Sequence, residues 1–493
     1  MRARSASTAA RIDPLLRHSD DAPGTTLTAD PADPQAMGES GDPGNETPTP
    51  PPGSPTLWQR WRRQWRRWRT VRRRAILILV ILMLPVVWSY YRALTGPGSD
   101  SLQARTVEWA RDNHLGWVVD RTEKWWYANH QAKVGGTPNL ANGPVVAPET
   151  GATASTAAGS TAATVPGVDG TTPGVDGATA TTPAGATAPI GTVAPAPADG
   201  GATASTDTSG ALSTTHLVPP ARLASPAGAA AGREGQWQPF GPTVNGVQGA
   251  YVTSIRPDAV HTSILDAVVW IDPTVLKLRQ YPGLKIPGSP WDRPPYVEAN
   301  RQAQLVAAFD GGFRIQDSRG GMILGHQVLK SMRTGGATFA ISDSGVPNIG
   351  AWGTDITNSP TLDSARQSLD LIVIDGAPNP ALQSDPNRTW GFTGPANKTA
   401  VWRSGAGIRA DGSLVWVGGD GLTVESLADT LVRAGAIRGM QLDINHEWVQ
   451  LNTYAVDSTG AVHGRKLLSG MQHTGDRWLS EDTRDFIAIF TRP

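Results

Sequence analysis

Met440-Gln441-Leu442-Asp443-Ile444-Asn445-His446-Glu447-Trp448 places four polar or titratable side chains within five positions, at the end of a short apolar run. Upstream, Val424, Leu427, Ala428 and Leu431 recur at i, i+3, i+4 and i+7, the spacing of one helix face. Thr423 can cap that helix and Gly435 can end it in the left-handed conformation. The spacing therefore predicts a helix over 423–434, then a strand from Ala436 to Leu442 with Asp443 at its carboxyl end.

The strand reading extends to the surrounding chain. Ala267 to Ile271, Leu305 to Phe309, Ala337 to Ile341, Leu369 to Ile374, Leu414 to Val417 and Phe486 to Phe490 are short apolar runs separated by turn signals. Asp411-Gly412 and Asp343-Ser344-Gly345 read as hairpin turns. A second helix is expected over 361–368. The expected fold is α+β over residues 236–493, a mostly β mixed sheet with a few flanking helices.

Further out, the composition changes sharply. The 493 residues contain 55 Gly, 40 Pro and no Cys, and carry a formal net charge of zero. The missing cysteines exclude disulfides, thiolate metal sites and a cysteine nucleophile, so a secreted domain must rely on a core. Residues 1–57 are rich in Asp, Pro, Thr and Gly and read as a disordered cytoplasmic tail. In 58–74, Trp58, Trp61, Trp65 and Trp68 make one helical stripe among nine arginines. Basic and aromatic residues together fit nucleic acid. The uncharged apolar run Ala75 to Tyr91 that follows assigns them instead to lipid, as an interfacial helix on anionic headgroups, with no nucleic acid partner.

A transmembrane helix over 75–94 is expected, its arginine-rich side cytoplasmic and its C-terminal side extracytoplasmic. A tail of this length, with no small-residue cleavage site after Tyr91, argues against a removed signal peptide. Residues 95–134 hold two short helical patterns with Trp109, Trp117, Trp125, Trp126 and Tyr127, and read as a juxtamembrane element. Residues 135–235 are Ala, Thr, Gly, Pro and Ser, with low-complexity echoes such as Pro166 to Gly170 at Pro173 to Gly177. A coil of that length reaches on the order of 50–60 Å and would hold the domain away from the membrane.

Within the domain, polar side chains adjoin glycine-rich backbone at four places. Asp310-Gly311-Gly312-Phe313 and Asp375-Gly376 follow apolar runs, Arg403-Ser404-Gly405-Ala406-Gly407 opens a hairpin, and Asp443 to Glu447 is the fourth. Asp310 and Asp443 are candidates for the two carboxylates of glycoside cleavage. Arg403 can bind an anion bidentately, and His446 or Glu447 can donate or accept a proton. Gly311, Gly312, Asp375, Ser404 and Asn445 are candidate substrate contacts. His326 and His473 read as surface residues. No cofactor is assigned, and a divalent cation is left open. Asp443-x-Asn445-x-Glu447 begins like a calcium loop but has Trp448 where that loop needs glycine.

These motifs, in this order and with the Gly421-Leu422-Thr423-Val424-Glu425-Ser426-Leu427-Ala428 helix, resemble the phosphodiester glycosidase family over about 300–455. The family pattern has Asn-Gly-Gly-Phe at Asp310–Phe313 and Leu-Asp-Gly-Gly-Gly-Ser-Ser at Leu442–Trp448, so this chain replaces a glycine loop with bulky and charged residues. The resemblance implies a membrane-anchored hydrolase acting on a glycosidic or sugar-phosphodiester bond in a cell-envelope glycan or exopolysaccharide. The alternative is a non-catalytic carbohydrate- or wall-binding module on the same anchor. Convergence of Asp310, Arg403 and Asp443 in one cleft is the feature that separates the two.

Overall fold

The computed structural model describes residues 57–130, 132–145, 216–288, 291–384 and 400–493. The expected tail up to residue 56 and the linker segment 146–215 lie outside them. Four helices exceed a single turn: α1 (Leu57–Thr95), α2 (Leu102–Asp112), α3 (Gly116–Asn129) and α4 (Val424–Arg433). The first strands are β1 (Gln238–Pro239), β2 (Ala250–Ile255), β3 (Asp266–Ile271), β4 (Leu276–Tyr281) and β5 (Leu305–Asp310). Next come β6 (Met322–Leu324), β7 (Gln327–Lys330), β8 (Ala337–Ser342), β9 (Pro347–Ala351) and β10 (Leu362–Gln367). They are followed by β11 (Leu371–Ile374), β12 (Ala377–Pro378), β13 (Val401–Arg409), β14 (Leu414–Leu422) and β15 (Ala436–Ile444). The last are β16 (Leu451–Val456), β17 (Val462–Lys466) and β18 (Phe486–Thr491).

The expected mixed sheet resolves into three antiparallel sheets, ordered β1-β2-β3-β14-β13-β15-β11-β12, β7-β6-β10-β8-β9 and β17-β16-β5-β18-β4. Alternation along the large sheet explains its two covers. Val269, Ile271 and Trp416 face a core shared by all three sheets, together with Phe309, Phe339, Met440, Leu442 and Ile487. Val268, Trp270, Val415 and Val417 face the other way, against Leu427, Ala428 and Leu431 of α4. Thr423 caps α4 as expected: its hydroxyl accepts from the Ser426 N–H, and the Ser426 hydroxyl accepts from the Thr423 N–H. Gly405 and Gly407 on β13 let α4 approach the sheet, since a Cβ at either would press on Leu427 or Leu431.

One expected element is different. Residues 361–368 are not helical but form β10, a central strand whose Ser364, Arg366 and Gln367 are fully buried. Its polar composition hides a core strand because each long side chain finds a buried partner: Arg366 meets Asp485, and Gln367 Oε1 accepts from the Gly321 and Arg333 N–H groups.

The domain also begins earlier than residue 236. Gly135 N–H donates to the Val260 carbonyl, Val145 N–H to the Leu467 carbonyl and Leu217 N–H to Asp272 Oδ2. Both described ends of the expected linker therefore lie on the domain, so its length does not set the distance between domain and membrane helix.

Candidate active site

β5 ends in Asp310 and β15 ends in Asp443–Ile444, and the loop after β5 crosses the end of β15, where Phe313 N–H donates to the Leu442 carbonyl at 2.8 Å. This crossing brings Asp310 and Asp443, both buried, close enough for the charge of Asp443 to act on Asp310. Ser404 on β13 holds the second of them: its Oγ accepts the Asp443 N–H at 3.2 Å. Asp443 Oδ1 accepts the Ile444 N–H at 2.8 Å.

The cations around this pair come from elsewhere than the sequence suggested. Arg477 Nη1 donates to Asp310 Oδ1 at 3.1 Å, and its other nitrogens hold Asp482 at 2.7 and 3.2 Å. Arg366 pairs with Asp485 at 2.9 Å, both side chains fully buried. Arg484 lies 3.9 Å over the Trp448 ring, and its Nε is 3.6 Å from Glu108 Oε1. Arg484 Nε and Nη1 are buried and make no hydrogen bond, and Asp310 Oδ2 is likewise buried and unpartnered.

These surroundings act on both carboxylates. Burial pushes Asp443 up to about 6, against the pull of Arg484 and Arg366. Burial also pushes Asp310 up, against Arg477 and with the neighbouring charge of Asp443. Both carboxyls are thus held above the ordinary carboxylate range, Asp310 against a direct hydrogen bond from Arg477.

The other expected site residues have these surroundings. Arg403 is fully buried, with Nε donating to the Leu422 carbonyl and Nη1 to Gln441 Oε1; the cations acting on Asp443 are Arg484 and Arg366. Gly311 and Gly312 admit protein rather than ligand, since a Cβ would strike the Asp485 carboxylate at the first and the Leu442 carbonyl at the second. Asp375 is exposed and left-handed (φ 50°), the first residue of the β11–β12 turn, whose Gly376 N–H bonds Ile437 at the opposite end of β15. Asn445 (φ 105°) shapes the turn after β15, its Oδ1 accepting from the Glu447 N–H. His446 is exposed, on the Gly470 carbonyl and beside Trp402.

Glu447 faces the site's cover. The Ser101 N–H and hydroxyl donate to its two oxygens at 3.0 and 2.9 Å. Ser99 Oγ donates to Asp482 Oδ2 at 3.2 Å, Thr483 Oγ1 donates to Asp100 Oδ2 at 2.7 Å, and Glu108 meets Lys285 at 3.1 Å. Residues 99–108 thus lie across the acids and arginines of the site. His473, expected at the surface, is buried beneath this cover, 3.2 Å from the Ser99 carbonyl, and burial lowers it to about 3.

Arg366, Arg477, Asp482, Arg484 and Asp485 were missed by the sequence reading. The signal available was Asp482-Thr483-Arg484-Asp485 directly before the apolar run of β18, a charged strand start matching the charged strand ends. For a cation, the described residues group His326, Asp343 and Asp363 with ligand atoms within 4.8 Å. They are already paired, His326 with Asp343 at 3.0 Å and Asp363 with Arg293, and belong to the sheet of β6–β10 and its loops.

Residues 303–443 match the family model for phosphodiester glycosidase. The matched span contains Asp310, Arg366, Ser404 and Asp443, whereas Arg477, Asp482 and Arg484 lie beyond it. Among solved structures, the chain is similar to the zebrafish N-acetylglucosamine-1-phosphodiester alpha-N-acetylglucosaminidase catalytic domain, auto-inhibited by pro-peptide. That match has 12% identity over 50% of this chain and 82% of that one, with a TM-score of 0.32. A hypothetical protein from Synechocystis is 13% identical over 52% and 65%, with a TM-score of 0.26. A putative exported protein from Burkholderia pseudomallei K96243 is 13% identical over 46% and 74%, with a TM-score of 0.24. No curated protein matches the chain.

Proposed function

We propose that the phosphodiester glycosidase domain hydrolyses a sugar-phosphodiester bond in an envelope glycan, on the outer side of a membrane crossed by α1. The observation that carries this reading is the buried grouping of Asp310, Asp443 and Arg484. It combines two carboxyls raised by burial, Asp443 to about 6, with a guanidinium that has unmade hydrogen bonds. Asp310 protonates the leaving oxygen, Asp443 acts as base or nucleophile at the sugar carbon, and Arg484 receives the phosphate. α1 supports the anchor, being long and apolar enough to cross a membrane, with Arg62 and Arg69 stacked on Trp58 and Trp65 at its start.

In this reading the cover must withdraw before substrate binds. Replacing Ser99 and Ser101 together by alanine removes hydrogen bonds to Asp482 and Glu447 and the α2 cap. Charged hydrogen bonds of this kind are worth roughly 1.5–3 kcal/mol each, so the open population and the rate should rise by at least about tenfold. The test assays full-length protein in nanodiscs, wild type and the double variant, on a sugar-1-phosphodiester and on an uncharged glycoside. Arg484→Lys should raise KM for the charged substrate alone, because the fork is lost. An uncovered variant that turns over neither substrate yet still binds glycan would replace this reading with the binding module.

A further inference from the structure

We infer that α3 lies on the outer surface of the bilayer that α1 crosses, seating the domain directly on the lipid. The inference rests on the anchor reading above and adds a second, separate membrane contact.

The elbow after α1 is rigid. Arg105 on α2 donates to the carbonyls of Leu94, Gly96, Gly98 and Asp100, tying the last turn of α1 to the first of α2. From there α2 runs back along α1. Tyr90 OH meets Thr106 Oγ1 at 3.0 Å, and Trp109 Nε1 donates to Ser89 Oγ at 3.1 Å, with the Tyr90 and Trp109 rings 5.0 Å apart. As the α2 partner advances from Arg105 to Trp109, the α1 partner falls from Leu94 to Ser89. This brings the last turns of α2 to the level of the outer turn of the apolar segment, at Ser89 and Tyr90.

α3 follows α2 and is two-faced. Val119 is buried, and Asp120 and Glu123 pair with Arg111 of α2 at 3.3 and 2.8 Å. The opposite arc carries Trp117, Val118 and Trp125, with 69, 41 and 62% of their surfaces exposed. Trp126, by contrast, stacks on His130 with ring centroids 3.6 Å apart. Trp117 and Trp125 beside Arg121, together with exposed Trp88 and Tyr91 at the end of the span, have the composition of a headgroup region. A bilayer is therefore the occupant, ahead of a second copy. Because the same elbow delivers Ser99 and Ser101 to Asp482 and Glu447, the site is held beside the headgroups. The substrate class narrows to glycans whose phosphodiester lies at the membrane surface.

The absence of cysteine allows a clean test. Spin labels at Trp125→Cys, Leu82→Cys and Val328→Cys, one per full-length chain, are compared in phosphatidylcholine–phosphatidylglycerol nanodiscs. Collision with lipid-dissolved oxygen and with an aqueous nickel chelate is measured. The label at 125 should match the one at 82, several-fold more accessible to oxygen than to chelate, while the one at 328 shows the reverse. Chelate access at 125 with a lipid-exposed 82 overturns this inference alone. Chelate access at 82 removes the anchor reading as well. Shielding of 125 from both agents with dipolar broadening between labels assigns the face to a second copy and also overturns it.

Discussion

Replacing Arg477 with methionine is expected to destabilise the domain by about 3–5 kcal/mol, more than any exposed substitution. The guanidinium is fully buried, donates to Asp310 and neutralises Asp482, both of them buried. Those carboxylates in turn raise the Arg477 pKa, so the arginine stays charged at every accessible pH. Methionine fills much of the same volume but leaves buried Asp482 without a counter-charge and Asp310 without its donor. The melting midpoint should fall by roughly 6–20 °C for a domain of this size. Adding Asp482→Asn to Arg477→Met should recover part of the loss, because one uncompensated charge disappears. By comparison, breaking the half-exposed Arg111–Asp120 pair should cost under about 1 kcal/mol. An Arg477→Met variant melting with wild type would show that the ion cluster is not what holds the ends of β5 and β18 together.

The elements legible in the sequence are those whose signal is local. α4 follows from apolar spacing and a capping box, and β3, β5, β8, β14 and β18 from apolar runs between turns. Asp310 and Asp443 were legible for the same reason, as acids ending such runs. β10 was not, because its inward side chains are Ser364, Arg366 and Gln367, and the long ones become core only through partners distant in the chain, such as Asp485 and Gly321. Arg484 was overlooked in favour of Arg403 on the same grounds. Both are arginines at strand ends, and only the packing shows that Arg403 meets Leu422 and Gln441 while Arg484 acts on the acids. The cover over the site was illegible altogether: Ser99 and Ser101 lie 383 and 346 residues from the groups they bind.

Asp443→Asn should lower turnover by about 10²–10⁴-fold while leaving the domain folded, and its pH behaviour separates chemistry from structure. The amide keeps an oxygen for the Ile444 N–H and the same backbone bond to Ser404. The sign of the stability effect follows from the shift. The folded pKa, about 6, lies above that of a free carboxyl, so the folded state binds the proton more tightly than the unfolded chain. Stability contributed by this group is present at low pH and lost as pH rises from about 4 through 6. Asparagine never ionises, so above about pH 6 the variant should be at least as stable as wild type, and its advantage should vanish towards about pH 4. Wild-type activity should run the other way, rising through about pH 6 as Asp443 ionises. A chemical denaturation series and a rate profile over the same buffers measure both. A variant with unchanged turnover, or one whose activity loss tracks a loss of stability at neutral pH, would remove Asp443 from the chemistry.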